Sequence, residues 1–222
     1  MKLFWPAVGG IILFALLASA ALYADLPARM ATHWNAANQA NGFMPKEWAA
    51  LFMPLLMLAL ALLLHYLPRI DPLRRNIESF ETQYHQFILI LMAFLAIIHV
   101  QVPLWNIGLP ISPGPVVSIG LAALFFSVGR LCAASRQNYT IGIRTPWALS
   151  DSRVWDKTNK FGGRLFMLFS PLALLGVFYP NLYLPIVLAV VLIPGLAAVI
   201  YSYMVYKKLH KGSKKSHAKK RR

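Results

Sequence analysis

The chain has 222 residues, 58% of them hydrophobic and only 13% charged, where an ordinary soluble domain carries roughly a quarter charged. That composition excludes a water-exposed globular surface. The net charge of +15 does not imply a nucleic-acid partner, because nine of the 22 lysines and arginines lie after Val205, and the single cysteine, Cys132, excludes an intramolecular disulfide.

Phe4–Ala24 is the first apolar run, long enough to cross about 30 Å of hydrocarbon at about 1.5 Å per residue. Lys2 and the small residues Ala18-Ser19-Ala20 resemble a secretory signal, but the run continues past that site, so a retained helix is expected. A polar segment, Asp25–Glu47, leads to the second run, Trp48–Leu67, with Pro54 inside it. Pro68–Tyr84 carries Arg69, Arg74 and Arg75. Phe87–Trp105 is the third run, Asn106–Gly114 a Pro/Gly turn, and Val116–Ala134 the fourth. After the polar stretch Asn138–Gly163 come a fifth run, Leu165–Pro180, and a sixth, Leu182–Tyr206, interrupted by Pro194-Gly195. With the N-terminus inside, the outer loops hold only Arg29 and Lys46, and the other loop lysines and arginines fall on the inner side. The positive-inside rule therefore predicts an all-α integral membrane protein with six transmembrane helices and cytoplasmic N- and C-termini. The expected organisation is two helices around an external loop (1–67), a four-helix region with a cytoplasmic loop at 135–164 (68–206), and a basic tail (207–222). The tail is expected to attract anionic lipid, at about 1 kcal/mol per basic residue near the surface.

In the outer loop, Pro27 precedes Thr32-His33-Trp34-Asn35, Asn41-Gly42 and Lys46. Asn-Gly predicts a type I′ turn, since both residues tolerate positive φ. Trp34 and Trp48 suit the headgroup level. Pro27, His33, Trp34, Asn35, Gly42 and Lys46 are candidates for external recognition. Asp25, His33 and His99 have the residue types of a zinc site, but no ligand spacing supports one. Neither a Gly-x-Ser-x-Gly turn nor a phosphate-cradling glycine loop is present. No catalytic residue, metal or cofactor is predicted. His99 and Gln101, within a span, predict interhelical hydrogen bonds or, on a transporter reading, a polar path.

In the central stretch, Thr145 is held extended by Pro146. Ser150 is the expected N-cap, with Asp151 in the first turn. Val154, Thr158, Phe161 and Leu165 then recur at helical spacing, and Gly162-Gly163 is expected to close the segment. Such a helix can lie in the headgroup plane with Trp155 as its anchor, or dock a partner. The candidate binding residues are Asn138, Gly142, Arg144, Thr145, Pro146, Trp147, Ser150, Asp151, Trp155 and Lys157.

Two motifs carry a family resemblance. LPARMATHWNAANQANGFMPK is similar to an N-terminal module of unknown function, and Asn138 with GIRTPWALSDSRVWDKTNKFGG resembles the signature of the SdpI family, bacterial membrane proteins giving immunity to a sporulation-delaying peptide toxin. This sequence departs from that pattern at Asn38, Asn41, Ser152, Arg153 and Asn159, the last standing where histidine is common. The resemblance implies a non-enzymatic protein of the bacterial cytoplasmic (inner) membrane. It would protect the cell from a membrane-active peptide toxin and, as in the founding system, sequester a cytoplasmic transcriptional repressor. A small-solute transporter and a metal-dependent membrane hydrolase are the alternatives.

Overall fold

The computed structural model describes residues 3–35, 39–109 and 111–219, with side chains to residue 211. Its elements are α1 (Phe4–Leu22), β1 (Arg29–Trp34), β2 (Ala40–Pro45), α2 (Lys46–Tyr66), α3 (Arg74–Glu78), α4 (Glu81–Asn106), α5 (Pro113–Ala134), α6 (Pro146–Ser150), α7 (Ser152–Phe169), α8 (Leu175–Phe178) and α9 (Tyr183–Lys219). Among the described residues, six helical stretches are long and apolar enough to cross a membrane: Phe4–Asp25, Lys46–Arg69, Glu81–Asn106, Pro113–Ala134, Ser152–Phe178 and Pro180–Lys211. Pro54 lies inside α2 and Pro194 inside α9 without ending either helix.

The distribution of side chains is that of a bilayer protein. Large residues such as Leu13, Phe14, Leu17, Phe52, Leu55 and Leu196 are exposed, while Ser118, Thr158, Ser170 and Ser202 are fully buried. Lipid tails are as apolar as leucine, so association is driven instead by close packing and interhelical hydrogen bonds. α1, α2 and α4 pack around Phe4, Val8, Ala15, Met57, Ala61 and Met92. α7 packs between α5 and α9, and α4 joins α5.

Small residues set the α5–α7 contact. A Cβ built on Gly163 would stand 2.5 Å from the Gly129 carbonyl oxygen, and one on Gly129 would stand 2.6 Å from that of Gly163. One expectation fails here. The helix that carries the fifth apolar run begins at Ser152, well before Leu165, and Gly162-Gly163 does not close a helix but lies in the middle of α7. At Gly162 a Cβ would come 2.2 Å from Ile143 Cδ1 and 2.9 Å from the Ala198 Cβ. These glycines serve close approach rather than termination.

The bundle has two unlike ends. At one, the β1–β2 hairpin packs on the end of α4; at the other, residues 67–80 meet residues 135–151 to form a cap.

Candidate functional site

At the hairpin end, β1 and β2 pair antiparallel from Arg29↔Pro45 to Trp34↔Ala40, with the register broken on either side of His33. Asn106, at the end of α4, supplies a substitute strand edge. Its Oδ1 accepts from Ala31 N at 2.8 Å and its Nδ2 donates to Ala31 O at 2.9 Å. Asn41-Gly42 is not the turn. It lies within β2, opposite the irregular register at His33, where a Cβ on Gly42 would come 2.8 Å from that of His33. Glycine permits the close approach that the bulge imposes, and the Asn41 Oδ1 stands 2.6 Å from His33 Nδ1. Asn35 and Gln39 close the end of the hairpin. Asn35 N donates to Gln39 O at 2.9 Å and Asn35 Oδ1 accepts from Gln39 N at 3.0 Å, while the departure at Asn38 lies outside the described residues.

Beneath the hairpin is a cavity of about 410 Å³. Thr32, His33, Trp34 and Asn35 form its hairpin wall. Ala49, Phe52 and Met53 of α2, Ile98, His99, Gln101 and Val102 of α4, and Val117 of α5 contribute the rest of the enclosure, with Tyr183 at the start of α9. Trp34 meets Trp105 edge-on at 5.3 Å, and its buried Nε1 has no partner among the described residues. Gly42, Lys46 and Pro27 do not line the cavity. Lys46 instead sits 4.4 Å over the Tyr23 ring. Trp48 is 64% exposed, as an interfacial anchor would be.

His99 is the interhelical node the sequence suggested. Its Nε2 lies 2.7 Å from Ser19 Oγ and 3.2 Å from Ala15 O, and Ser19 Oγ donates onward to Ala50 O at 3.2 Å. A carbonyl only accepts, so Nε2 is assigned the proton and Nδ1 the lone pair. Three helices, α1, α2 and α4, are thus tied at one point. Gln101 Nε2 donates to Ile111 O at 2.8 Å. Asp25, His33 and His99 do not come together: among the described residues no group of three His, Cys, Asp or Glu could hold a metal ion.

The cap end is built differently. Asn138 is fully buried and folds the loop around its own amide: Oδ1 accepts from Thr140 N at 2.9 Å and Ile141 N at 2.6 Å, and Nδ2 donates to Arg136 O at 2.7 Å and Ile141 O at 3.0 Å. Gly142 has φ 117°, and a Cβ there would lie 2.7 Å from Asn159 Oδ1 and 3.0 Å from Trp155 Cζ2. Glycine is required on both counts. Asn159 Oδ1 accepts from Ile143 N at 2.8 Å, so the residue standing where histidine is common acts as a backbone staple. Thr145 is the N-cap of α6, accepting from Ala148 N at 3.1 Å, and also bonds Ser202 of α9. Ser150 is not the cap of α7. Asp151 is, accepting from Arg153 N at 2.8 Å and from the Arg153 guanidinium at 2.7 Å. That guanidinium bond is the main cause holding the Asp151 carboxyl down to about 2 from 3.8.

Trp155 is neither a headgroup anchor nor a docking residue. It is completely buried, and its Nε1 donates to Ser135 O at 3.2 Å. Trp147 is half-buried and packs on Tyr203 at 5.1 Å. Of the signature candidates, Arg144, Pro146, Ser150 and Lys157 are exposed. The sequence reading missed Asp71. Buried at 4% exposure, it accepts from Tyr139 N at 2.9 Å and Thr140 Oγ1 at 3.0 Å through Oδ2, and from Leu73 N at 2.7 Å through Oδ1. Asn76 Nδ2, donating to Gln137 O at 2.7 Å, makes the second tie between the two loops.

Fold and sites together define a multi-pass helical membrane protein with a cavity under a hairpin and a polar cap at the far end. Residues 135–205 match the SdpI/YfhL protein family, and residues 10–58 match a domain of unknown function, DUF1648. Over 201 residues, 90% of this chain and 94% of the other, it is 25% identical to the immunity protein SdpI of Bacillus subtilis (strain 168). The SdpI-family resemblance read from the two motifs is thereby confirmed, with the second match reaching into α9. No solved structure matches the chain.

Proposed function

We propose that this protein is an immunity protein of a bacterial cytoplasmic membrane, protecting the cell from a membrane-active peptide by binding and without chemistry. The hairpin-end cavity carries the reading. Its walls are mainly apolar, a few polar side chains lie at its edge, and it sits where a peptide approaching from outside would meet the bilayer. Sites of this composition suit an apolar or aromatic segment with one or two directional contacts. The orientation rests on charge. The hairpin side holds Arg29 and Lys46, whereas Arg69, Arg74, Arg75, Arg136, Arg144 and Lys157 gather at the cap, which the positive-inside rule places in the cytoplasm.

The exposed basic residues Arg144, Arg153, Lys157 and Lys160 favour a second contact at the cap, with a soluble acidic surface such as that of a transcriptional repressor. The buried remainder of the signature would then hold this face in shape. A strain lacking the gene, carrying wild type or the His33→Ala variant and challenged with membrane-active peptides, tests the reading. Wild type restores survival and His33→Ala fails to, at equal abundance in the membrane. Equal survival with both variants would remove the hairpin from the function. Uptake of a solute by proteoliposomes of the purified protein would instead favour the transporter alternative.

A further inference from the structure

A second cavity, of about 740 Å³, lies away from the hairpin. It lies at the cap end, where the N-terminus of α1, the end of α2, α3 and the start of α4 meet. Its apolar floor is Phe4, Ile77 and Ile88, and its rim carries Arg69, Arg74, Glu78 and Glu81. None of this charge is neutralised by an ion pair between these four; among the described residues the only close ionic contact on the rim is Glu81 with His85 at 3.6 Å. Arg69 stacks over Tyr66 at 5.2 Å.

The depth is informative. Arg69 ends the second span and Glu81 begins the third, so the rim stands at the boundary between hydrocarbon and headgroups. Exposed aromatic rings mark the same level, Trp5 near the start of α1 and Tyr66 at the end of α2, as aromatic belts do. A generic basic surface would carry arginine alone. Here two arginines and two carboxylates share one rim above an apolar floor.

We propose that this cavity is a binding site for a phospholipid with a phosphoethanolamine headgroup. Arg69 and Arg74 would take the phosphate, for which guanidinium geometry is suited. Glu78 and Glu81 would take the primary ammonium, whose N–H groups they can accept. Phosphatidylglycerol would leave both carboxylates facing a neutral or anionic group. Phosphatidylcholine offers a cation without an N–H donor.

Native mass spectrometry of the full-length protein in detergent, titrated in parallel with phosphatidylethanolamine, phosphatidylcholine and phosphatidylglycerol, reads this out. The expected result is retention of one phosphatidylethanolamine with affinity about tenfold above phosphatidylcholine, the factor corresponding to one hydrogen bond to a charged group. Glu78→Gln with Glu81→Gln abolishes that discrimination and keeps phospholipid binding, whereas Arg69→Gln with Arg74→Gln weakens all three lipids. Thermal unfolding of each variant verifies that the fold is retained. Free phosphoethanolamine competes in the same titration, whereas inorganic phosphate alone does not. Equal affinity for the three lipids, or preference for phosphatidylglycerol, overturns the proposal. So does unchanged discrimination in the double glutamine variant.

Discussion

The two ends of this bundle spend their polar residues in opposite ways. At the cap, Asn138, Asn159, Asp71 and Thr145 are buried and saturated with backbone partners, so the most recognisable stretch of the sequence is mostly scaffold. At the hairpin, two strands are held by the buried Met30, packed with Leu26 and Ala49, and by Asn106, over a cavity that is left open. A motif rich in Arg, Trp and Asp can therefore mark a fold rather than a contact surface. The contact surface can lie where the pattern is weaker.

Substitutions separate the two ends, and the largest effect belongs to the α5–α7 seam. Gly163→Leu should prevent the protein from accumulating in the membrane, because the added side chain would have to occupy the Gly129 backbone and Ala133. Gly9→Leu, with nothing within 4 Å of its added Cβ, should accumulate normally. Western blotting of membrane fractions distinguishes them. Next comes the buried indole: Trp155→Ala should cost about 3–5 kcal/mol, read by thermal unfolding in detergent, while Trp48→Ala should stay within about 0.5 kcal/mol of wild type. If the two tryptophans lost equal stability, the contrast between a rigid cap and a peripheral hairpin would fail.

The smallest effect concerns the α7 cap. Asp151→Ala should cost about 1 kcal/mol at neutral pH. Because the Arg153 guanidinium holds the folded-state carboxyl down to about 2 from 3.8, the carboxylate's contribution is complete above pH 3.8 and is lost as the pH falls towards 2. The melting temperatures of wild type and Asp151→Ala should converge over that window. A gap unchanged at pH 2 would mean that ionisation of Asp151 plays no part.

The six spans were legible because hydrophobic length is a direct reading of bilayer thickness. The His99 bond was legible because a buried imidazole in lipid has to find a partner. The position of the hairpin was readable, but its turn was not: Asn-Gly serves equally at a turn and at a bulge, and only the cross-strand register at His33 decides. Trp155 was misread for a related reason. The helical period correctly put Val154 and Thr158 on the buried face, but the buried stripe is two residues wide, taking in Trp155, Asn159 and Gly163 as well. The loop at Ile141–Ile143 covers Trp155 and Asn159 and α5 covers Gly163, and one helix's period contains no trace of either. Asp71 was invisible because its main partners are Tyr139 N and Thr140 Oγ1, about seventy residues away in sequence and without a charge to advertise the pairing.

The contrast between the ends is tested most directly by a membrane-active peptide carrying a photoactivatable diazirine, cross-linked in cells that produce the protein and then mapped by mass spectrometry. Cross-links should fall on the hairpin-end cavity, at residues such as Trp34, Phe52, Met53 and Val117, and should disappear in Val117→Trp, which fills that space. Cross-links concentrated in residues 135–164, or undiminished in the filled variant, would contradict the assignment of peptide binding to the hairpin end.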